Sequence, residues 1–144
     1  MDALYKPFFP NLADVVGKKT SDATPAYNCI AWAFKETHRV WWPDSRAYWP
    51  IPYAGMTQLE AFENWFDVDG WVDTTDPGVE TGFEKIALFL LNGVPTHAAR
   101  LLPNGQWTSK LGWHPTLSID LAHDLHDLEG GHYGAIFKIY RKTI

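Results

Sequence analysis

A chain of 144 residues, 46% hydrophobic and 20% charged, fits one soluble domain that can bury a core without disulfides or structural metal. Its net charge of -5 argues against a nucleic-acid backbone as partner, which would need clustered Lys and Arg. The single cysteine cannot close an internal disulfide, and no run approaches the ~18 apolar residues that suggest a membrane helix.

The first 19 residues, "MDALYKPFFPNLADVVGKK", have an early acid and two prolines where a secretion signal needs a basic end and an unbroken apolar run. The expected location is therefore the cytoplasm, with export by a signal-independent route left open. No repeat or low-complexity linker interrupts the chain, so residues 1–144 read as one domain whose first 24 residues form an irregular arm.

The first helix is expected over about 26–38, in "PAYNCIAWAF" and the residues after it. Thr24 before Pro25 offers one start, and Asn28 a later one that puts Cys29 at the first helical position. "RVWWPDSRAYWPIPYAG" (39–55) is broken by proline and reads as an ordered loop packed by its own rings. Thr57 then caps a second helix over about 58–67, with Glu60 in a capping box and Leu59, Phe62 and Phe66 inward. "DTTDPG" (73–78) reads as a turn.

Beyond residue 83 the period shortens. "EKIALFLL" (84–91), "PTHAARLL" (95–102) and "QWTSKLG" (106–112) are strand-like, separated by "NG" and "PNG" turns. Residues 116–128 are polar and read as helical, and "GAIFKIYRK" (134–142) alternates as a final strand. The expected class is α+β: N-terminal helices packed on an antiparallel β-meander.

The chemistry centres on Cys29. A thiol becomes a useful nucleophile as thiolate, and a helix start and an imidazole both favour that form. Six histidines could supply the ring: His38, His97, His114, His123, His126 and His132. His97 is preferred, because the two alanines after it leave room for a ring facing a helix mouth. Its second nitrogen would need a fixed partner. The next strand offers Ser109, with Thr108 and Lys110 as competitors, and a one-residue slip would reverse the choice. Asn28 and the hydroxyl of Tyr27 could help hold an oxyanion, and Trp41, Trp42 and Trp49 could wall a groove.

Other polar groups read more plainly. His123, His126, Asp127 and His132 in "LAHDLHDLEGGH" suggest a metal cluster, but a solvated helix face explains them more simply. No metal or other cofactor is expected. Glu84 and Lys85 read as a surface pair.

A cysteine heading a helix, followed by a hairpin with histidine on one strand and a polar residue on the next, resembles the NlpC/P60 and papain-like cysteine hydrolase superfamily. "HAARLLPNGQWTS" is similar to that superfamily's His-strand, turn and polar-strand unit. The resemblance implies a papain-like thiol amidase or peptidase: Cys29 as nucleophile, His97 as base, Ser109 as orienting group, and a peptide or amide as substrate. Two positions depart from it. Asn28-Cys29-Ile30-Ala31 stands where acid-Cys-Ser-Gly is usual, and serine stands where His, Asn or Gln is usual. The strings "YNCIAWA", "WWP", "GFEKIALF" and "WTSKLG" also resemble a family of short uncharacterised bacterial proteins. The rival expectation is a non-catalytic binding or immunity-type module with a buried Cys29 and an aromatic groove for a protein partner.

Overall fold

The computed structural model describes residues 8–12, 20, 24–111 and 119–144. Among these residues, two α-helices, α1 (Cys29–Ala33) and α2 (Gln58–Val68), accompany six strands: β1 (Val72–Thr74), β2 (Phe83–Leu91), β3 (Val94–Leu101), β4 (Trp107–Leu111), β5 (Ile119–His123) and β6 (Ala135–Thr143). The strands form one antiparallel sheet in the order β1-β6-β2-β3-β4-β5. The fold is α+β. β2 to β5 follow one another as a meander, while β6 returns to lie between β1 and β2.

Each face of the sheet carries its own core. Ile86, Leu88, Ala98 and Tyr140 look toward α1 and α2 and pack with Ile30, Phe62 and Phe66. Phe66 and Tyr140 stack with centroids 3.9 Å apart. The opposite face sets Ala87, Phe89, Ala99, Trp107 and Leu121 against Phe9, Leu12, Leu125, Leu128 and Tyr133. Successive strand residues point to opposite faces, so each strand serves both cores.

α1 is shorter than the expected 26–38. Asn28 caps its start by accepting Ala31 N–H at 3.1 Å. Its end comes where Lys35 enters the left-handed region at φ 64° and Glu36 N–H closes on Ala31 O at 2.8 Å. That reversal is usually made by glycine, so nothing in the composition announces it. α2 carries the expected capping box between Thr57 and Glu60. Asn92 and Gly93, both at positive φ, make the tight β2–β3 turn.

Three expectations need correction. Residues 119–128 hold β5 and a 3₁₀ turn (Leu125–Leu128) rather than an α-helix, and 116–118 lie outside the described residues. Leu121, Leu125 and Leu128 are all buried, which demands an extended run followed by a tight turn. Val72–Thr74 forms an edge strand on β6 at the start of the stretch read as a turn. Glu84 and Lys85 are not a pair: Glu84 bonds Lys35 at 2.7 Å, while Lys85, 1% exposed, reaches Asp76 and Glu80.

Candidate functional site

β3 and β4 pair only at Arg100↔Thr108 and Leu101↔Trp107. Among the described residues, β3 has no strand partner on that edge from Ala99 back toward Pro95, and α1 packs against both strands. Here Cys29, the first residue of α1, lies 7% exposed. Burial pushes its thiol up to about 11, although the N–H groups of Ala98, Ile30 and Cys29 itself and the charge of Lys110 pull the other way. The desolvation of a buried thiolate outweighs the helix start. A strand's N–H lies in the sheet plane, so the sulfur meets β3 at its edge, beside the amide that follows His97.

His97 is fully buried. Its ring packs flat on Tyr133 and edge-on to Phe89, and its Nε2 lies 2.8 Å from Ser109 Oγ. The same Oγ lies 2.7 Å from His123 Nε2, and His123 Nδ1 lies 2.7 Å from the carbonyl of Asp124. His97 Nδ1 is buried with no hydrogen-bond partner. Burial first, and then the neighbouring His123, hold the His97 ring well below the usual imidazole range, so it stays neutral.

Register settles the choice among Ser109, Thr108 and Lys110. Thr108 turns to the α1 face, where its Oγ1 donates to Arg100 O and accepts from Trp32 Nε1. Lys110, also fully buried, donates to Thr24 O and lies 4.9 Å from the Tyr27 ring centre. Ser109 alone of the three meets His97.

A cleft of about 300 Å³ lies at Cys29. Asn28, Cys29, Trp42, Pro95, Thr96 and Tyr133 line it, with His132 at the exposed rim. Thr96 is an extra residue in β3, because the register slips from Phe89↔His97 to Leu90↔Pro95. Its hydroxyl donates to Tyr133 O at 2.6 Å and ties that residue to the strand. Asn28, Cys29 and Trp42 therefore share one cleft, and His97 and Ser109 meet behind its Tyr133 wall. No hydrogen bond joins the sulfur to the His97 ring: the ring packs with Phe89 and Tyr133 in the core opposite α1, not toward the helix mouth as the two small residues after it suggested.

Tyr27 and Asn28 have structural partners that the sequence reading missed. The Tyr27 hydroxyl donates to Asp120, away from any developing oxyanion. The Asn28 side chain accepts from Ala31 N–H and Trp41 N–H and donates to Trp41 O, which uses one of its two amide hydrogens. Of the three tryptophans, Trp42 faces the cleft while Trp41 and Trp49 are buried. The reading also missed Tyr133, His132 and Thr96 as cleft residues; no local pattern marks a bulge that aims them there.

The metal-like histidines do not converge. His126 pairs with Glu129, Asp127 caps the 3₁₀ turn, and no group of three potential ligands gathers among the described residues. His38 is exposed, and His114 lies outside the described residues.

Residues 18–141 match the profile of a family described as "Domain of unknown function (DUF7689)". The chain belongs to this family. No curated protein and no solved structure matches it. The match covers both helices, β1 to β5 and β6 as far as residue 141, so α1, the β3–β4 opening and the cleft all belong to the DUF7689 region. Among the described residues, no helix is long and apolar enough to cross a membrane.

Proposed function

We propose that the chain is a papain-like thiol hydrolase acting on an uncharged peptide or amide through Cys29 and His97. One observation carries the reading: the only cysteine opens a helix at a cleft whose Tyr133 wall stacks on a buried imidazole with an unpartnered nitrogen. A neutral thiol and a neutral base suit a mechanism in which the proton moves as attack occurs, rather than a standing ion pair.

In that mechanism the Tyr133 ring turns aside to open His97 to the cleft, Cys29 sulfur bonds the carbonyl carbon and its proton passes to His97 Nδ1. The carbonyl electron pair moves to oxygen, within reach of the Cys29 N–H and the remaining Asn28 amide hydrogen. Collapse expels the amine, which takes the proton from His97. Water then attacks the thioester, gives a proton to His97, and releases the acid as sulfur regains its hydrogen. Trp42, Pro95 and Tyr133 favour an uncharged acyl group, and the described lining holds no Asp, Glu, Lys or Arg.

p-Nitrophenyl acetate tests the reading. The expected result is a burst of nitrophenolate stoichiometric with protein and an acetyl group on the Cys29 peptide by mass spectrometry. Cys29→Ala should abolish both, and His97→Ala should slow the burst by about a hundredfold or more. A burst that survives either substitution removes that residue from its role.

A second reading draws on the thiol's value of about 11 and its 7% exposure. Here the cleft grips a partner's side chain and Cys29 only packs. No acetylation of Cys29 is then expected, and Trp42→Ala would alter partner binding alone.

A further inference from the structure

The His97 ring needs its lone pair on Nδ1 to act as base, and a serine does not by itself secure that. A hydroxyl both donates and accepts, so it can face either tautomer. What fixes it lies one strand further along. A backbone carbonyl only accepts, so the 2.7 Å contact between Asp124 O and His123 Nδ1 puts a hydrogen on that nitrogen. A neutral His123 then has a bare Nε2, and the Ser109 hydroxyl 2.7 Å away must donate to it. With its hydrogen committed, Ser109 Oγ can only accept from His97 Nε2 at 2.8 Å. His97 Nε2 therefore carries the hydrogen, and Nδ1 is left with the lone pair.

We infer that His123 is a positioning residue which, through Ser109, sets the His97 tautomer that leaves Nδ1 basic. The inference rests on the reading of His97 as the base, and it also explains how serine can occupy the orienting position. His97 and Ser109 are fully enclosed and His123 is 1% exposed, so water does not compete for these bonds. The three residues come from β3, β4 and β5, and Ser109 alone reaches both rings. If His123 gained a second proton, its Nε2–H would turn the hydroxyl round and move the His97 hydrogen to Nδ1, the wrong nitrogen for a base.

Long-range ¹H–¹⁵N spectra of histidine-labelled protein read the tautomer directly, whatever the activity. Wild type is expected to give His97 a pyridine-type Nδ1 and a pyrrole-type Nε2. Ser109→Ala removes the bias and should populate both forms. His123→Phe deprives the hydroxyl of its acceptor, so it should turn to His97 Nε2 and invert the tautomer. His123→Gln retains an acceptor oxygen and should keep the wild-type pattern. A wild-type His97 protonated at Nδ1, or a His123→Phe protein with an unchanged pattern, overturns the inference. Should His123→Phe fail to fold, the wild-type and Ser109→Ala spectra still decide it. Acylation of Cys29 by p-nitrophenyl acetate should fall about a hundredfold in His123→Phe and recover in His123→Gln. Inversion of the tautomer without any change in acylation would retain the relay and refute the hydrolase.

Discussion

Tyr133 lies flat on His97, with ring centroids 4.0 Å apart and planes within 6°. Tyr133 also lines the cleft, so this one side chain joins the cleft to the covering of the proposed base. Tyr133→Ala should open that wall. The expected results are modification of His97 by diethylpyrocarbonate, to which wild type is resistant there, and a stability loss of about 3 kcal/mol in urea unfolding. Tyr133→Phe keeps the stack and should leave His97 protected. An Ala variant with His97 still unmodified would show that another group covers the ring.

The thiol's raised value makes a prediction about alkaline stability. In the unfolded chain Cys29 ionises near its ordinary 9.0, but in the fold only near about 11. Between these values the unfolded state has lost a proton that the folded state retains, so stability falls as pH rises, by about 1.4 kcal/mol per unit. Urea titrations from pH 8 to 11 should show this slope in wild type and a shallower one in Cys29→Ala. Tyr140, raised by burial and by the charges of Glu63 and Asp73, adds an alkaline loss common to both proteins. Iodoacetamide should label native Cys29 slowly at neutral pH and faster toward pH 11. Equal slopes in the two proteins would refute the raised value.

Much of this arrangement was legible in the residues because local physics made it so. The Thr57–Glu60 box, the Asn92–Gly93 turn and the alternation along β2, β3 and β6 each follow from short-range geometry. Asn28 as cap, and Cys29 as first helical residue, came from the same source. What escaped depended on register and tertiary contact. Lys35 adopts a conformation its type rarely takes, so the end of α1 could not be seen. Thr108, Ser109 and Lys110 are all polar, and only pairing with β3 and β5 decides which meets His97. His123 looked like part of a polar helix because its neighbours His126 and Asp127 are surface-type residues. Its own role emerges only when β5 pairs with β4 and turns it inward.

Asn28 joins two elements through one amide. Its oxygen accepts Ala31 N–H and Trp41 N–H at 3.1 and 3.0 Å, and its nitrogen donates to Trp41 O at 2.7 Å. Asn28→Ala loses the cap and leaves the Trp41 amide groups without their partner, so a loss of about 2 kcal/mol or more is expected. Asn28→Asp keeps both acceptances but sets a charge against Trp41 O, and should fall between the two. Thermal unfolding of the three proteins checks the order. An alanine variant as stable as the aspartate variant would show that the latch to Trp41 adds nothing.

The segment 8–12 is no loose arm: Phe9 and Leu12 are buried on the sheet face opposite α1, and Phe8 O accepts His132 N–H at 2.7 Å. Gly131 makes that approach possible, for a Cβ there would lie 1.9 Å from Phe8 O and 3.0 Å from Pro10 Cδ. Neither the carbonyl nor the proline ring can swing aside as a flexible side-chain tip would, so Gly131→Ala must unseat the segment. Uncovering Phe9 alone forfeits about 2 kcal/mol of hydrophobic burial. The variant should lose at least that much in urea unfolding, and protease should cut within residues 8–12 while the sheet stays intact. Gly93→Ala is the control: its φ of +79° disfavours a side chain, but nothing lies within 4 Å of the added methyl. It should cost about 1 kcal/mol of backbone strain and leave the segment protected. Equal protease resistance in both variants would mean that the segment is held by contacts other than the close pass beside Gly131.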